Sequence, residues 1–292
     1  MNANVDDSGP AAALSAFLRQ HPKLLLLTGA GCSTESGIPD YRDVDGAWKR
    51  PQPVQFQDFM RSEHARRRYW ARSMLGYPLM AAAQPNAAHR WLADLERQGR
   101  VELLITQNVD GLHQQAGQRA VVDLHGRIAQ VLCTACGVRL SRDLLQTRVE
   151  SLNPWIRELG AAIGPDGDAD IEHVSLESFR VPACDVCGGI LKPDVVFFGE
   201  NVPRQRVERS MAALEQVDAL LVMGSSLKLF SGYRFCREAK RLGLPMAAVN
   251  LGRTRIDDML DVKVEAPCGE LCATMLSGVY GAGGSSGDYC AA

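Results

Sequence analysis

The chain carries two residue patterns with the types and spacing for chemistry. In the first, an apolar run, Leu24-Leu25-Leu26-Leu27-Thr28, breaks into Gly29-Ala30-Gly31. A parallel strand ending in Gly-x-Gly is a way to hand a dinucleotide pyrophosphate to the N-terminus of a helix, because small residues let backbone N–H groups approach phosphate oxygens. Ser33 and Thr34 follow, with hydroxyls that would cap the next helix or meet a ligand. The alternative is a tight strand-to-helix turn, and a dehydrogenase fingerprint would place glycine where this chain has Thr34. The second pattern is two Cys-x-x-Cys pairs, Cys133/Cys136 and Cys184/Cys187, with 47 residues between them and glycine after each pair. Four thiolates brought together predict a coordinatively closed zinc site that supports the fold and takes no part in chemistry. A redox dithiol is the alternative. Neither pair sits at the strand-to-helix junction that a thioredoxin motif needs, and the spacer exceeds the ~15–20 residues of a compact zinc ribbon.

These patterns need elements to position them. Runs at 24–27, 103–106, 121–124, 219–223 and 246–250 read as buried strands. Leu14, Phe17 and Leu18 give helical spacing before the first, and Tyr233, Cys236 and Lys240 between the last two. The alternation predicts an α/β fold, a doubly wound, mainly parallel, Rossmann-like sheet with ligands at the carboxyl ends of its strands. Residues 11–126 and 198–280 make up this expected domain. Two segments break the alternation: 43–90, rich in Arg, Trp, Tyr and Pro, and 127–197, which holds the cysteine pairs. Residues 1–10 and 281–292 are small, polar or Gly-rich and read as flexible ends.

With 46% hydrophobic and 23% charged residues, the chain has enough apolar content for a full core. A formal net charge of -2 implies no nucleic-acid binding and no attraction to an anionic membrane. No apolar run is long enough to span a bilayer, and Met1-Asn2-Ala3-Asn4-Val5-Asp6-Asp7 is neither a secretory nor a mitochondrial leader, so a cytoplasmic location is expected. Nine cysteines, an odd number, fit a reduced compartment better than a disulfide framework.

The full string from Leu24 through Ile38-Pro39-Asp40-Tyr41-Arg42 resembles the NAD-binding signature of the sirtuins. Further motifs of that family follow in order: Thr106-Gln107-Asn108-Val109-Asp110-Gly111-Leu112-His113, Leu124-His125-Gly126, Lys192 through Glu200, Gly224-Ser225-Ser226-Leu227 and Val249-Asn250-Leu251-Gly252. The resemblance covers roughly residues 24–272. The runs at 68–72, 231–235 and 268–271 are most similar to class II, whose members also carry an extended insertion between the cysteine pairs.

The resemblance implies an NAD-dependent protein-lysine deacylase that consumes NAD, releases nicotinamide and transfers the acyl group to ADP-ribose, with acylated-lysine proteins or peptides as partners and one structural zinc held by Cys133, Cys136, Cys184 and Cys187. It makes 43–90 a helical module covering the cofactor and 127–197 an inserted zinc module. His125 becomes the expected base, since imidazole titrates near neutrality, and Gly126 beside it leaves space for an acyl-lysine. Asn108 and Asp110 are assigned to the ribose and carboxamide of the nicotinamide half. His89 and His113 are read as structural. Expected cofactor contacts are Gly29, Ala30, Gly31, Cys32, Ser33, Thr34, Glu35, Ile38, Pro39, Asp40, Tyr41 and Arg42, with Arg42 near the pyrophosphate and Tyr41 over the nicotinamide. Gln107, Val109, Gly224, Ser225, Ser226, Asn250, Leu251, Gly252 and Cys268 complete the set. The family often has Glu after this asparagine, where this chain has Leu251-Gly252. Cys32 stands where isoleucine is common and reads as packing or as an oxidisable thiol.

Val196, Phe197, Phe198 and Gly199, continuing into Glu200, are expected to offer an extended edge to a substrate peptide. Tyr69 and Arg72 have the Tyr-x-x-Arg spacing with which some sirtuins hold a carboxylate on the acyl group. The alternative is a helix face with an aromatic packed inward and an arginine outside. Competing readings are mono-ADP-ribosyl transfer at the same site, a deacylase selective for acidic or long acyl groups, a hydride-transferring dehydrogenase and a silent NAD- and zinc-containing binding module. The missing glycine at position 34 and the cysteine insert speak against the dehydrogenase, and His125, Asn108 and Asp110 against the silent module.

Overall fold

A computed structural model describes residues 9–39, 54–158 and 174–277. In chain order the elements are α1 (Pro10–Gln20), β1 (Leu24–Thr28), α2 (Phe56–Arg61), α3 (Glu63–Ala82), α4 (Ala87–Arg97), β2 (Val101–Thr106), α5 (Leu112–Gln115), β3 (Val121–Asp123), β4 (Gly126–Cys133) and β5 (Arg139–Ser141). They continue with α6 (Arg142–Leu152), β6 (Leu191–Val195), α7 (Arg204–Leu214), β7 (Ala219–Met223), α8 (Phe230–Arg241), β8 (Met246–Val249), β9 (Val262–Val264) and α9 (Cys268–Leu276). Among the described residues no helix is long and apolar enough to cross a membrane.

The five expected strands form, and with β9 they make a six-stranded sheet in the order β3-β2-β1-β7-β8-β9, parallel at every pairing. Its central strands are apolar throughout because both faces are covered. Leu24 and Leu26 of β1 point into a cluster with Leu14 and Phe17 of α1, Trp91 and Leu95 of α4, and Leu271 and Cys272 of α9. Leu25 and Leu27 point the other way, onto Leu214 of α7 and Phe235 and Cys236 of α8. Strand β9 was not foreseen: three residues with Lys263 in the middle give little apolar signal. Pro10, expected in a flexible end, opens α1, where its missing N–H costs nothing. Gly9 is the residue before this helix, and residues 1–8 and 278–292 lie outside the described residues.

The described parts of the two segments that break the alternation pack as one lobe. Strands β5-β4-β6 form an antiparallel sheet, and its Val131 and Leu191 share a core with Leu145 and Val149 of α6, Phe59 of α2, and Trp70 and Met74 of α3. Helix α4 belongs instead to the large sheet, so the expected boundary at residue 90 falls inside a helix. Its start is fixed by Asn86, whose side chain accepts from the N–H groups of Ala88 and His89 while the His89 ring accepts from the Asn86 N–H.

Chain order sends β2 to one side of β1 and β7 to the other, so the loops after β1 and β7 leave the sheet side by side. That divergence opens a crevice at their carboxyl ends.

Candidate active site

The crevice is floored by the turn after β1. No regular helix follows it, contrary to expectation: the chain makes two short 3₁₀ turns, 30–32 and 34–36, and Ser33 caps neither through its side chain. The glycines here serve turn-to-turn packing. The N–H of Gly29 donates to the Met223 carbonyl (3.0 Å) and that of Gly31 to the Gly224 carbonyl (2.9 Å). Gly224 has φ +61°, and a Cβ there would overlap the backbone nitrogen of Cys32. Only a residue without a side chain allows this approach.

Above that floor lies a cavity of about 530 Å³, the size of a small-molecule site. Its wall includes Gly29, Ala30 and Gly31 from the first turn, Gln107, Asn108 and Val109 after β2, and His125 before β4. Gly224, Ser225 and Ser226 after β7, with Asn250 and Leu251 after β8, continue this wall. Tyr69 and residues 196–199 also line it. The floor and the row of polar groups fit a dinucleotide laid across the strand ends.

Other expected contacts lie off the wall. Cys32 and Cys268 are buried in the core beneath it, where a hydrogen bond with the Cys268 thiol, and then burial, raise the Cys32 thiol well above its usual range. Ile38 packs against Tyr77 and Leu112. The carboxylate of Glu35 accepts from the N–H groups of Gly269 (2.8 Å) and Glu270 (3.2 Å), at the start of α9. Thr34 and Pro39 are exposed, and Gly252 is also off the wall. Asp40, Tyr41 and Arg42 lie outside the described residues.

A polar chain connects floor and wall. Asn108 Nδ2 donates to the Gly29 carbonyl (3.0 Å) and to Ser33 Oγ (3.0 Å), and Ser33 Oγ donates to Asp110 Oδ2 (2.8 Å). Asp110 also accepts from the Leu112 N–H at 2.9 Å. Burial raises the Asp110 carboxyl, partly offset by these two donors. Ser33 and Asp110 therefore hold Asn108 in place rather than facing the cavity themselves. His89 and His113 lie behind this chain with ring centroids 4.8 Å apart; His113 Nε2 meets Thr28 Oγ1 at 2.9 Å, and both rings are pushed down by burial, His89 to about 4.

His125 is held from both ends. Its Nδ1 lies 2.9 Å from the Gln107 carbonyl, an acceptor only, so Nδ1 carries the proton. Nε2 then bears the lone pair, and Ser231 Oγ donates to it at 2.9 Å. Burial pushes the imidazole down to about 4, with the Gln107 carbonyl opposing and Arg206 and Arg234 assisting. The ring is therefore neutral at pH 7, with its basic nitrogen turned toward Ser231. Sequence reasoning missed both the orienting carbonyl of Gln107 and Ser231. A backbone carbonyl leaves no residue-type signal, and Ser231 lies 106 positions away in the chain. Gly126, at φ +85°, starts β4 so close to β6 that a Cβ would overlap the Asp194 carbonyl oxygen, so its lack of a side chain serves the backbone crossing rather than a substrate.

Residues 196–200 are not the continuous free edge expected. The Val196 N–H donates to the His125 carbonyl (2.8 Å), the Phe198 carbonyl accepts from the Phe56 N–H (2.8 Å), and the chain turns at Gly199. A buried ion pair supports the turn: Lys192 Nζ donates to Glu200 Oε2 at 2.9 Å, and that oxygen also accepts from the Phe197 N–H at 2.8 Å. Tyr69 packs edge-on to Phe59, with its ring centroid 5.1 Å from that of Phe197. Arg72, one turn along α3, is half-buried and is not on the cavity wall.

The four cysteines converge away from the cavity. Their sulfurs all lie within 4.8 Å of one another, with Cys133 to Cys187 at 3.5 Å and Cys136 to Cys184 at 3.8 Å. A tetrahedron of Zn–S bonds of ~2.3 Å has S···S edges of ~3.8 Å, whereas a disulfide would need ~2.05 Å. The set fits a structural zinc ion and leaves no open coordination position.

A profile of the Sir2 family matches residues 29–231. The chain is 56% identical over 273 residues to a protein of Xanthomonas campestris pv. campestris named NAD-dependent protein deacetylase, covering 94% of this chain and 92% of that one. It is 48% identical over 261 residues to the NAD-dependent protein deacylase Sirt4 of Drosophila melanogaster, covering 88% and 84%. A solved structure described as Sir2-p53 peptide-NAD+ superposes with a TM-score of 0.74 at 29% identity, covering 90% of this chain and 96% of that one. Glycine turns at the strand ends, a neutral histidine facing the same cavity and a four-thiolate cluster in the second lobe thus accompany a match across most of the sequence: the chain belongs to the Sir2 family, the sirtuins.

Proposed function

We propose that the protein is an NAD-dependent protein-lysine deacylase, acting on acylated lysine in proteins or peptides and consuming NAD. One observation carries the reading: His125, neutral and fixed through Nδ1, lines one cavity together with the Gly29–Gly31 turn and Phe197–Gly199. NAD supplies the activated ribose carbon at which the acyl oxygen reacts. The turns after β1 and β7 hold its phosphates, while Ser225, Ser226 and Asn250 receive the adenosine half. Asn108, held by Ser33 and Asp110, orients the nicotinamide half. His125 Nε2 takes the proton of a ribose hydroxyl, exchanging its Ser231 donor for that hydroxyl. Residues 196–199 carry the substrate backbone. The zinc cluster keeps the second lobe folded, and a cytoplasmic setting suits its reduced thiols.

Deacetylation is the generic activity. Tyr69 on the wall and Arg72 one turn away support recognition of an acidic acyl chain as a narrower specificity. A panel of acyl-lysine peptides with NAD, read by mass spectrometry, tests the reading: deacylation yields nicotinamide and O-acyl-ADP-ribose. ADP-ribose attached to protein, without peptide deacylation, would make the enzyme a protein mono-ADP-ribosyltransferase and overturn it.

A further inference from the structure

The run Ser231-Gly232-Tyr233-Arg234 opens α8, and so far only Ser231 has a role. Ser231 and Arg234 are three residues apart on the helix and share a face. That face meets the active site, since Ser231 touches His125 Nε2 and Arg234 lies on the same cavity wall as Phe198, Gly199 and Asn201. The Arg234 Nε is buried with no hydrogen-bond partner, and no carboxylate pairs with the guanidinium among the described residues. Glu200 is the one acidic side chain on the wall among those residues, and Lys192 and the Phe197 N–H occupy it. The guanidinium lies over the Phe230 ring, 5.2 Å from its centroid, a cation–π contact. An arginine with five donors, partly desolvated without an anion among the described residues, is matched to the fork of a carboxylate.

We propose that Arg234 is a carboxylate-binding subsite beside the acyl-lysine site, so that the enzyme prefers substrates bearing a carboxylate near the reacting lysine. The carboxylate comes either from the end of the acyl chain or from an acidic residue flanking the acyl-lysine. This subsite belongs to α8 and is distinct from Tyr69 and Arg72 of α3, and it rests on the deacylase reading.

The test compares wild type, Arg234→Gln and Arg234→Lys at saturating NAD on three peptides: acetyl-lysine with neutral flanks, acetyl-lysine with an adjacent Asp, and succinyl-lysine with neutral flanks. Wild type is expected to favour at least one carboxylate-bearing peptide in kcat/KM. Arg234→Gln should cut that preference ratio about tenfold, as for a lost charge-assisted pair, and Arg234→Lys should retain part of it. Loss on the succinyl peptide alone assigns the subsite to the acyl chain, and loss on the Asp peptide alone to the flanking residue. Equal loss on all three peptides, a raised KM for NAD accounting for the whole effect, or a wild type indifferent to the carboxylates would overturn the proposal while leaving the deacylase reading intact. If wild type released no nicotinamide with any peptide, the deacylase reading would fall, and the subsite with it.

Discussion

The cavity at the strand ends and the four-cysteine cluster are both built from paired loops brought together by tertiary structure, yet they are opposite in kind. At the cluster, every sulfur faces another sulfur and the arrangement is complete once one ion is held. At the cavity, polar groups are fixed from behind and left incomplete in front. Gln107 fixes one nitrogen of His125 and only a serine hydroxyl occupies the other; Ser33 and Asp110 hold Asn108; Arg234 has a buried Nε without an acceptor. A closed site contributes stability and nothing else, while a site that is to bind and react must keep donors and acceptors that the protein itself does not satisfy.

Breaking the closed site should have the larger effect. Cys184→Ser removes one thiolate vertex, and structural zinc binding is worth ~10–16 kcal/mol in small zinc-folded peptides. The expected result is loss of the one zinc per chain, measured by metal analysis, with cooperative unfolding of the β5-β4-β6 lobe. A soluble, active protein without zinc would show that the cluster is dispensable. In the open site, His125→Ala should leave the fold and NAD binding in place and lower turnover by roughly 10²–10⁴-fold, the usual contribution of a general base. Calorimetric titration of NAD alongside peptide turnover separates the two effects, and retained turnover would remove His125 from the mechanism.

The two regions should also differ in acid. His89 and His125 are pushed down to about 4 from an ordinary 6.5 by burial, so between those values the folded state binds fewer protons than the unfolded chain. Their contribution to stability is complete above 6.5 and is lost as the pH falls through about 4. Denaturant midpoints between pH 7 and pH 4 should therefore fall by less in His89→Gln than in wild type. An unchanged pH slope in that variant would place the proton uptake elsewhere. The smallest expected effect concerns the acyl end of the cavity. If Arg72 reaches an acyl carboxylate, Arg72→Met should raise KM for succinyl- or glutaryl-lysine peptides by roughly 10- to 150-fold, the range for a charge-assisted pair of ~1.5–3 kcal/mol, and change acetyl-lysine turnover little. Equal responses to acetyl and acidic peptides would make Arg72 a packing residue of α3.

How legible each region was follows from the range of its interactions. The cysteine pairs announce themselves because metal ligation needs a particular residue type at local spacing. The parallel sheet is equally visible, since strands covered on both faces must be apolar throughout, as Leu24–Leu27 and Ala219–Met223 are. The turn after β1 reads locally as the start of a helix, because Gly-x-Gly followed by Ser and Thr is a helix-opening pattern. The actual 3₁₀ turns depend on the loop after β7, nearly two hundred residues away, pressing Gly224 against Gly31.

By itself, then, the sequence determined the α/β architecture, the convergence of four thiols and the ordered motifs that mark a sirtuin, because periodicity, residue type and local spacing are properties of the chain. Tertiary structure alone decided which nitrogen of His125 is basic, since that is set by the Gln107 carbonyl and the Ser231 hydroxyl. It also decided that Glu35 serves the start of α9, that the 196–200 edge is already partly occupied, and that Arg234 stands on the cavity wall without a counter-ion among the described residues. Each of these rests on hydrogen bonding, burial or the absence of a partner between distant segments, which the order of residues does not encode locally.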